Sequence, residues 1–580
     1  MTNRILPLCL GTLLLLGLPR PLTAQQVPVI EKTLPNGMTL LMLQRTGEPS
    51  ISGGWVAKVG SSNERPGITG IAHLFEHMMF KGTPTLGTTD FEKDQQIIAE
   101  QERVRDLMRQ EEAHMRQMWR EGKIEDLRDP ETKTDRYKEL AAEFKKLIEA
   151  QREILVKNEF DKVYTAAGAS GMNAFTTHDL TGYFITVPSN RLEFWMWMES
   201  ERLLRPVFRE FYAERDVVFE ERRMRTEATP LGQYEEQFES MFWVSHPYHW
   251  PVIGWPSDIP AISKKQADDF YAKYYAPQNI TLVLVGDFSP EQALPMVEKY
   301  FGRIPKGTVD APDVITLELE QKIEKRMFAE VEANPQVDIL WHAVPFRHPD
   351  SYALEVLAEV LSSRTGRLYK SLVLDKKIAT SVSARQDQRK WAGAFNISAE
   401  AKDGTTPEDL EQAIYAELEK LKEELVPDRE IQKVKNNFAA YEYRKLANNF
   451  SIMIQLIFYE GLGDWNEIND GGPRYQSVTA EDIQRVVKKY FIEDGRAVAI
   501  YTRKEGAKEE DPLLTGLSAE QKSLVRMISG KMQQETSVDN LQQALTQMEG
   551  QSPKDDNEKQ MMRIYRSLIE KRIKELKAEK

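Results

Sequence analysis

Apolar residues between positions 27 and 90 fall into short runs, which Gly, Pro and Asn separate. The runs at 39–43 and 51–57 predict strands, and a helix is predicted to begin near Gly70. Further along, the pattern predicts two more strands with two helices between them, in the order 183–188, 194–198, 212–225 and 281–287. Strands and helices mixed in this way along one chain indicate an α+β fold.

The second part of the chain, from about residue 315 to 502, repeats this order of elements. It has a strand at 337–341, a helix at 352–361, a strand at 395–399 and a closing strand at 497–501. In both parts the closing strand follows a short helix that ends in a Tyr-containing segment. The repetition predicts a duplicated α+β unit of about 200 residues. We therefore expect an N-terminal domain at 27–305 and a homologous C-terminal domain at 306–505.

A strongly charged segment interrupts the first unit, between residues 91 and 160. Its second part carries apolar residues at near-heptad spacing, and the polar stretch 121–135 contains Gly122 and Pro130. This pattern predicts an inserted antiparallel helical hairpin, with a coiled-coil-like seam, that stands out from the domain. A solvated spacer is the alternative. At the C-terminal end of the chain, the charged residues 506–580 predict a helical tail.

The first 24 residues have the pattern of a secretory signal peptide. Arg4 lies near the start, an apolar run covers 5–18, and the small residue Ala24 marks a suitable cleavage point. The run is short for a membrane span, and no other stretch is long and apolar enough for one. We therefore expect an exported protein, periplasmic or secreted, without a stable transmembrane anchor; a leader retained as an anchor is the alternative. Cleavage would also remove Cys9, the single Cys of the chain.

The composition excludes several kinds of functional site. The chain of 580 residues has a formal net charge of -13. This charge argues against a nucleic-acid binder, because such proteins neutralise phosphates with Lys and Arg. A single Cys excludes a disulfide framework and a Cys-rich zinc site. Catalysis must then depend on His, carboxylates or hydroxyls.

The sharpest local signal is the sequence H-L-F-E-H at 73–77, in a chain with only 8 His residues. On a helix, His73 and His77 face the same way, so both imidazoles can reach one Zn²⁺. Glu76 shares that face and can take a proton from a water on the metal. The motif predicts a hydrolytic zinc site, the alternative being two His residues on a helix with ordinary structural partners.

A catalytic zinc commonly has three protein ligands and one open position, so a third ligand is needed. The helix predicted at 212–225 offers Glu214 and Glu221, which are seven residues apart and share one face. Acidic helix faces are usually only solvated, so spacing alone does not choose between these carboxylates and the other His residues. Those residues are His114, His178, His246, His249, His342 and His348.

H-x-x-E-H followed by E-R-x-V-V-x-x-E at 214–221 resembles the pitrilysin/insulinase family of zinc metallopeptidases, the inverzincins. The processing-peptidase-like subfamily, which includes mitochondrial processing peptidase, is the most similar. The resemblance covers roughly 27–502, and residues 70–83 match the family signature almost throughout. N-A-F-T at 173–176 is similar to the edge strand of the family, and P-Y at 247–248 and Y-Y-A-P-Q-N at 274–279 match later landmarks.

The resemblance implies a role for each site residue. His73, His77 and Glu221 would bind one Zn²⁺ per chain, with Glu76 as the general base. Glu214 would be a neighbouring carboxylate that orients a ligand His. The strand with Asn173, Ala174 and Phe175 would pair with substrate as an added β-strand. The implied fold is two homologous α/β sandwich halves, in agreement with the duplication.

Two departures from the family pattern matter. The two zinc motifs are about twice as far apart as is usual, which the helical hairpin accounts for. The second half of the family, or a partner subunit, usually provides an Arg and a Tyr that hold the substrate carbonyl. Val373 and Thr380 occupy these places here, and Tyr369 is out of register. We therefore expect a heteromeric partner of the same fold to supply the Arg/Tyr pair.

These observations predict an exported zinc endopeptidase that hydrolyses extended peptides or unfolded segments. The alternative is a non-catalytic scaffold or processing partner that keeps the fold. A coiled-coil adaptor built on the hairpin and the tail would explain only part of the chain.

Overall fold

The computed structural model describes residues 26–127, 129–506, 512–514, 517, 519–535, 537–549 and 556–578. The predicted leader, with Arg4, Cys9 and Ala24, lies outside the described residues. Within them, no helix combines the length and apolar character needed to cross a bilayer.

The first half is built on a six-stranded sheet in the order β1-β2-β6-β3-β5-β4, in which only β2 and β6 pair in parallel. The strands are β1 (Ile30–Thr33), β2 (Thr39–Gln44), β3 (Ser50–Ala57), β4 (Ser170–Thr176), β5 (Thr181–Pro188) and β6 (Ile280–Gly286). The helices are α1 (Ile71–Met78), α2 (Phe91–Arg120), α3 (Asp135–Arg152), α4 (Glu159–Ala166), α5 (Leu192–Leu204), α6 (Phe211–Arg222), α7 (Gly232–Phe242), α8 (Lys264–Tyr274) and α9 (Pro290–Phe301).

The second half has a five-stranded sheet in the order β7-β11-β8-β10-β9. Its strands are β7 (Lys325–Val331), β8 (Gln336–Ala343), β9 (Ala379–Gln388), β10 (Gly393–Ala401) and β11 (Arg496–Arg503). Its helices are α10 (Pro349–Ser362), α11 (Pro407–Glu423), α12 (Asp428–Lys445), α13 (Asn449–Leu462), α14 (Glu467–Ser477) and α15 (Ala480–Tyr490). The tail contains α16 (Ala519–Gln534), α17 (Val538–Glu549) and α18 (Asp556–Ala578).

The two sheets confirm the predicted duplication. Strands β2-β6-β3-β5-β4 of the first sheet correspond in order and direction to β7-β11-β8-β10-β9 of the second. In each half the closing strand enters the middle of the sheet, β6 between β2 and β3 and β11 between β7 and β8, so it is buried on both faces. This position explains the continuous apolar sequence of β6, whose seven residues are all buried. Only β1 lacks a counterpart among the described strands.

Each half covers a sheet face of the other. Helix α13 of the second half packs on the first sheet through Met453, Leu456 and Ile457. A side chain at Gly54 on β3 would meet Cδ1 of Ile457 at 2.7 Å, which explains the glycine there. In turn, α7 of the first half packs against β7 and its neighbour β11 in an apolar cluster. This reciprocal packing fixes the arrangement of the two halves, because the burial of one face of each sheet depends on it.

The charged insertion forms the predicted pair of helices, α2 and α3, which pack through Val104, Met108 and Leu140. The second helix of the hairpin also packs against the rest of the first half. Phe144 of α3 packs edge-to-face on Tyr212 of α6, with ring centroids 5.3 Å apart. The insertion therefore contacts the helix that carries Glu214 and Glu221.

Candidate metal centre

The helix that carries the H-x-x-E-H motif begins at a conformation that requires glycine. Gly70 precedes α1 with φ of 91°, and a Cβ there would lie 2.5 Å from the carbonyl oxygen of Ile253. The buried carboxylate of Glu64 accepts hydrogen bonds from the backbone N–H groups of Gly70 and Ala72, both at 2.8 Å. It satisfies donors at the first turn of the helix that have no partner within the helix. Sequence reasoning missed Glu64, because its role depends on a loop that folds back.

His73 and His77 lie one turn apart on α1, with ring centroids separated by 5.0 Å. The carboxylate Oε2 of Glu221 on α6 lies 3.9 Å from Nε2 of His73 and 3.4 Å from Nε2 of His77. One ligand atom from each residue lies within 4.8 Å of the others. The structure thus brings together the three residues that the family resemblance implied, and Glu221 rather than Glu214 faces both imidazoles.

This donor set fits zinc. Two neutral imidazoles and one carboxylate are a common set at catalytic zinc sites, and tetrahedral Zn²⁺ places its ligand atoms about 3.3 Å apart. The distances from Glu221 Oε2 to the two ring nitrogens, 3.4 and 3.9 Å, lie near that value. Burial, followed by the nearby charge of His77, lowers the pKa of His73 to about 4, so His73 is neutral, the form that binds a metal.

A second carboxylate holds His77 from the other side. Oε1 of Glu214 lies 3.0 Å from Nδ1 of His77, so Nε2 is left to face Glu221. Although burial opposes it, hydrogen bonding to these two carboxylates raises the pKa of His77 to about 9, so a metal that binds at Nε2 would displace a proton from this ring. Nζ of Lys81 lies 2.5 Å from Oε2 of Glu214, and Arg225 contacts Oε1 of Glu221 at 2.8 Å. These two cations stabilise the carboxylates in their charged form, and the sequence motifs did not indicate this role for either.

Glu76 lies beside the three metal-binding candidates, and its carboxylate is partly buried. Burial raises the pKa of Glu76, and a hydrogen bond from the Thr176 hydroxyl opposes this shift. The raised pKa is suited to a group that takes up a proton from water and releases it again.

Strand β4, where substrate is expected to pair, forms the edge of the first sheet. Asn173 and Ala174 line a cleft together with Glu76. The ring of Phe175 lies elsewhere: it stacks with Phe458 of α13 at a centroid distance of 6.3 Å. Phe175 therefore shares the strand with the other two residues but packs its side chain toward the second half.

The cleft beside the metal centre has a volume of about 400 Å³. All of its lining residues belong to the first half. They come from α1 and the loop that follows it, from residues 155–160 after the hairpin, from β4, and from 209–214 at the start of α6.

The residues at the places of the expected Arg/Tyr pair have structural roles in the second half. The hydroxyl of Thr380 donates to Glu400 Oε1 at 2.8 Å, and Val373 packs against the second core. Tyr369 opens an irregular helical turn over Tyr369–Asp375. None of the three lines the cleft.

The remaining His residues lie apart from the metal centre. His178 is buried beside Arg389 of the second half, with 3.3 Å between Nε2 and Nη1. The ring of His342 stacks on Phe242 at 3.9 Å. His246 and His348 accept backbone hydrogen bonds, His249 contacts Ser240, and His114 is exposed on α2. Within the described part of the chain, only His73, His77 and Glu221 form a cluster suited to a metal.

Two family models match the chain. The model described as "Insulinase (Peptidase family M16)" matches residues 41–102, and the one described as "Peptidase M16 inactive domain" matches residues 261–438. The first match contains the H-x-x-E-H motif and ends within α2, inside the inserted hairpin. The second covers much of the half that lacks the motif.

Several known proteins are similar to most of the chain. The zinc protease PqqE of Helicobacter pylori is 26% identical over 507 residues, which is 85% of this chain and 97% of that protein. The crystal structure of a protease from Helicobacter pylori superposes with a TM-score of 0.66 at 24% identity, covering 82% of this chain and 99% of the other. The periplasmic protease PqqL from Escherichia coli gives a TM-score of 0.61 at 15% identity, covering 86% of this chain and 50% of that one. These structures share the fold of this chain.

Proposed function

Because this chain belongs to the insulinase family of peptidases, family M16, we propose that it is an exported zinc-dependent endopeptidase. It hydrolyses extended peptides or unfolded segments. The observation that carries the proposal is the convergence of His73, His77 and Glu221 on one point, with the carboxylate of Glu76 beside it.

The metal-binding residues of this chain are His73, His77 and Glu221, for one Zn²⁺. When bound, zinc polarises a water molecule and the carbonyl of the peptide bond. The carboxylate of Glu76 accepts a proton from the attacking water and delivers it to the leaving amine, so one water is consumed and one acid and one amine form. Glu214 keeps Nδ1 of His77 engaged, so the ring holds its orientation throughout.

Substrate binds as an additional strand on the edge of β4. Main-chain hydrogen bonds to Asn173, Ala174 and Phe175 hold an extended peptide with little demand on its sequence. The peptide then runs past Glu76, because Asn173, Ala174 and Glu76 line the same cleft. Folded proteins do not offer such a free strand, which accounts for a preference for unfolded segments.

A partner subunit of the same fold completes the site with an Arg/Tyr pair. Two observations support this proposal: the described lining of the cleft comes from the first half alone, and Val373 and Thr380 stand at the places of the pair. We expect low activity from this chain by itself and higher activity with the partner. Mixing the chain with a same-fold subunit that has the pair but lacks H-x-x-E-H tests this, and unchanged activity contradicts it.

Export rests on the N-terminal pattern of Arg4, the apolar run and Ala24. The name of the Escherichia coli protease, which places that protein in the periplasm, agrees with it. Fractionation of cells that produce the full chain, with sequencing of the mature N-terminus, tests this. A cytoplasmic chain that keeps residues 1–24 contradicts it.

A Glu76→Gln variant tests the peptidase proposal, with Glu220→Gln as the matched control. Glu220 is an exposed carboxylate next to Glu221 in the sequence, and it is paired with Arg223. The first variant should keep about one zinc per chain and lose cleavage of unstructured peptides followed by mass spectrometry; the second should keep both. If the wild-type chain and Glu76→Gln behave alike, with and without the partner, the chain is instead a non-catalytic scaffold of the same fold.

A further inference from the structure

The inserted hairpin returns to the metal centre. Its return segment, residues 155–158 between α3 and α4, lines the same cleft as Glu76 and His77. Leu155 forms a β-bridge with Thr88, and the N–H of Val156 donates to the carbonyl oxygen of Gly87 at 3.1 Å. The segment is therefore held by backbone hydrogen bonds to the loop that follows α1. These bonds fix its position relative to α1.

The root of the hairpin is joined to the loop after α1 and to the segment before α6 through one buried side chain. The guanidinium of Arg209, just before α6, donates to Asp94 of α2 at 2.6 Å and to the carbonyl oxygens of Leu86 and Thr83 at 2.8 and 2.7 Å. Gln151 of α3 donates to the same Asp94 at 2.8 Å. The return segment thus has a fixed position relative to α1 and α6.

The cations and anions of the cleft are mostly committed to partners within the protein. Lys81 is paired with Glu214, and Arg209 with Asp94. Glu159 accepts the N–H of Gly87 at 2.5 Å. Lys157 differs: it is exposed at the rim, and no ion pair or hydrogen bond of its ammonium group is found among the described residues. It is the cationic group that a bound peptide can engage.

We propose that the return segment of the hairpin is a specificity element of the cleft, in which Lys157 favours peptides with a carboxylate side chain next to the bond that is cleaved. This inference rests on the proposed peptidase function. The partly exposed ring of Phe80, which lines the cleft, provides an apolar contact for the stem of such a side chain, while Lys157 pairs with its charged end. The insertion would then decide which peptides are cleaved, without taking part in the chemistry.

Two sets of three matched peptides test the proposal. The peptides of one set are identical except for Glu, Gln or Lys at one position, which lies before the cleaved bond in the first set and after it in the second. Mass spectrometry identifies the bond that is cleaved. For zinc-loaded wild-type chain with its partner, we expect kcat/KM to be about fivefold higher for the Glu peptide than for the Lys peptide in one set, a ratio that falls with added salt. Lys157→Met should remove the preference, and Lys157→Glu should reverse it.

Lys162→Glu is the matched control, because Lys162 is an exposed lysine on α4 that does not line the cleft. It should keep the wild-type ratio, and all variants should keep the wild-type zinc content. Equal ratios in wild type and Lys157→Glu, with the Gln peptide still cleaved, overturn this inference alone. Failure of the zinc-loaded wild-type chain and partner to cleave any of the peptides overturns the peptidase function and this inference with it.

Discussion

The hydroxyl of Thr176 donates a 2.7 Å hydrogen bond to Oε2 of Glu76. The two residues are 100 positions apart, one on the last turns of α1 and the other at the end of the edge strand β4. Thr176 occupies one carboxylate oxygen, so Oε1 of Glu76 is left for water. The strand that is proposed to bind substrate therefore also orients the proposed general base.

Replacing Thr176 with Val should lower kcat roughly tenfold while changing KM little, because the carboxylate of Glu76 loses its orientation but the backbone of β4 is kept. Steady-state kinetics on a fixed peptide measures both constants. Thr176→Ser keeps the donor and should restore most of the rate. A Ser variant as slow as the Val variant would show that the hydroxyl alone does not account for the rate, because Ser keeps the hydroxyl and lacks only the methyl group of Thr176.

Glu221→Ala should abolish tight zinc binding, since it removes one of three metal-binding side chains. Zinc bound to the native state stabilises it by mass action, so added zinc should raise the thermal midpoint of the metal-free wild type and leave that of the variant unchanged. Differential scanning calorimetry with and without zinc makes the comparison. Glu220→Ala, on the exposed side of the same helix, should respond as the wild type does. A zinc response in Glu221→Ala would contradict the assigned ligand set.

Glu214→Gln should weaken zinc binding by about 10- to 100-fold without abolishing it. The amide cannot hold Nδ1 of His77 and the ammonium of Lys81 as the carboxylate does. Competition with a chelator of known affinity gives the dissociation constant. An affinity equal to that of the wild type would show that the orientation of His77 comes from packing alone.

Asp350 provides a prediction on pH in the second half, far from the metal centre. Its carboxylate accepts hydrogen bonds from Arg485, Lys489 and Tyr490 of α15 at 2.6, 3.0 and 2.5 Å. Although its burial opposes the effect, these hydrogen bonds hold the pKa of Asp350 well below its usual value. Because the folded-state pKa is depressed, the stabilisation is complete above the unfolded-state pKa of about 4 and is lost as the pH falls toward the folded-state value.

Asp350→Asn should therefore destabilise the second half at pH 7 by about 1 kcal/mol, a modest value because Arg485 and Lys489 are half exposed. The difference between variant and wild type should shrink below about pH 4. Urea unfolding midpoints at several pH values measure it. A difference that stays constant down to pH 3 would exclude the carboxylate charge as its cause.

Much of the fold follows from local sequence. The strands at 39–43 and 281–287, and the helix with His73, Glu76 and His77, could be predicted because apolar periodicity and i,i+4 spacing act over a few residues. The two helices of the insertion were predictable for the same reason. The packing of Phe144 on Tyr212 was not, since heptad spacing defines the seam between the helices but not what the outer faces touch.

The sequence by itself determined which residues could share a helix face and which chemical groups were available, with His and carboxylates as candidates. The tertiary structure decided that Glu221 faces both imidazoles, that Glu214 and Lys81 lie behind His77, and that Thr176 reaches Glu76. It also decided that residues 155–158 line the cleft while Val373 and Thr380 do not. The physical reason is that these relationships join residues far apart in the chain, whose distances depend on how the strands pair and how the two halves cover each other.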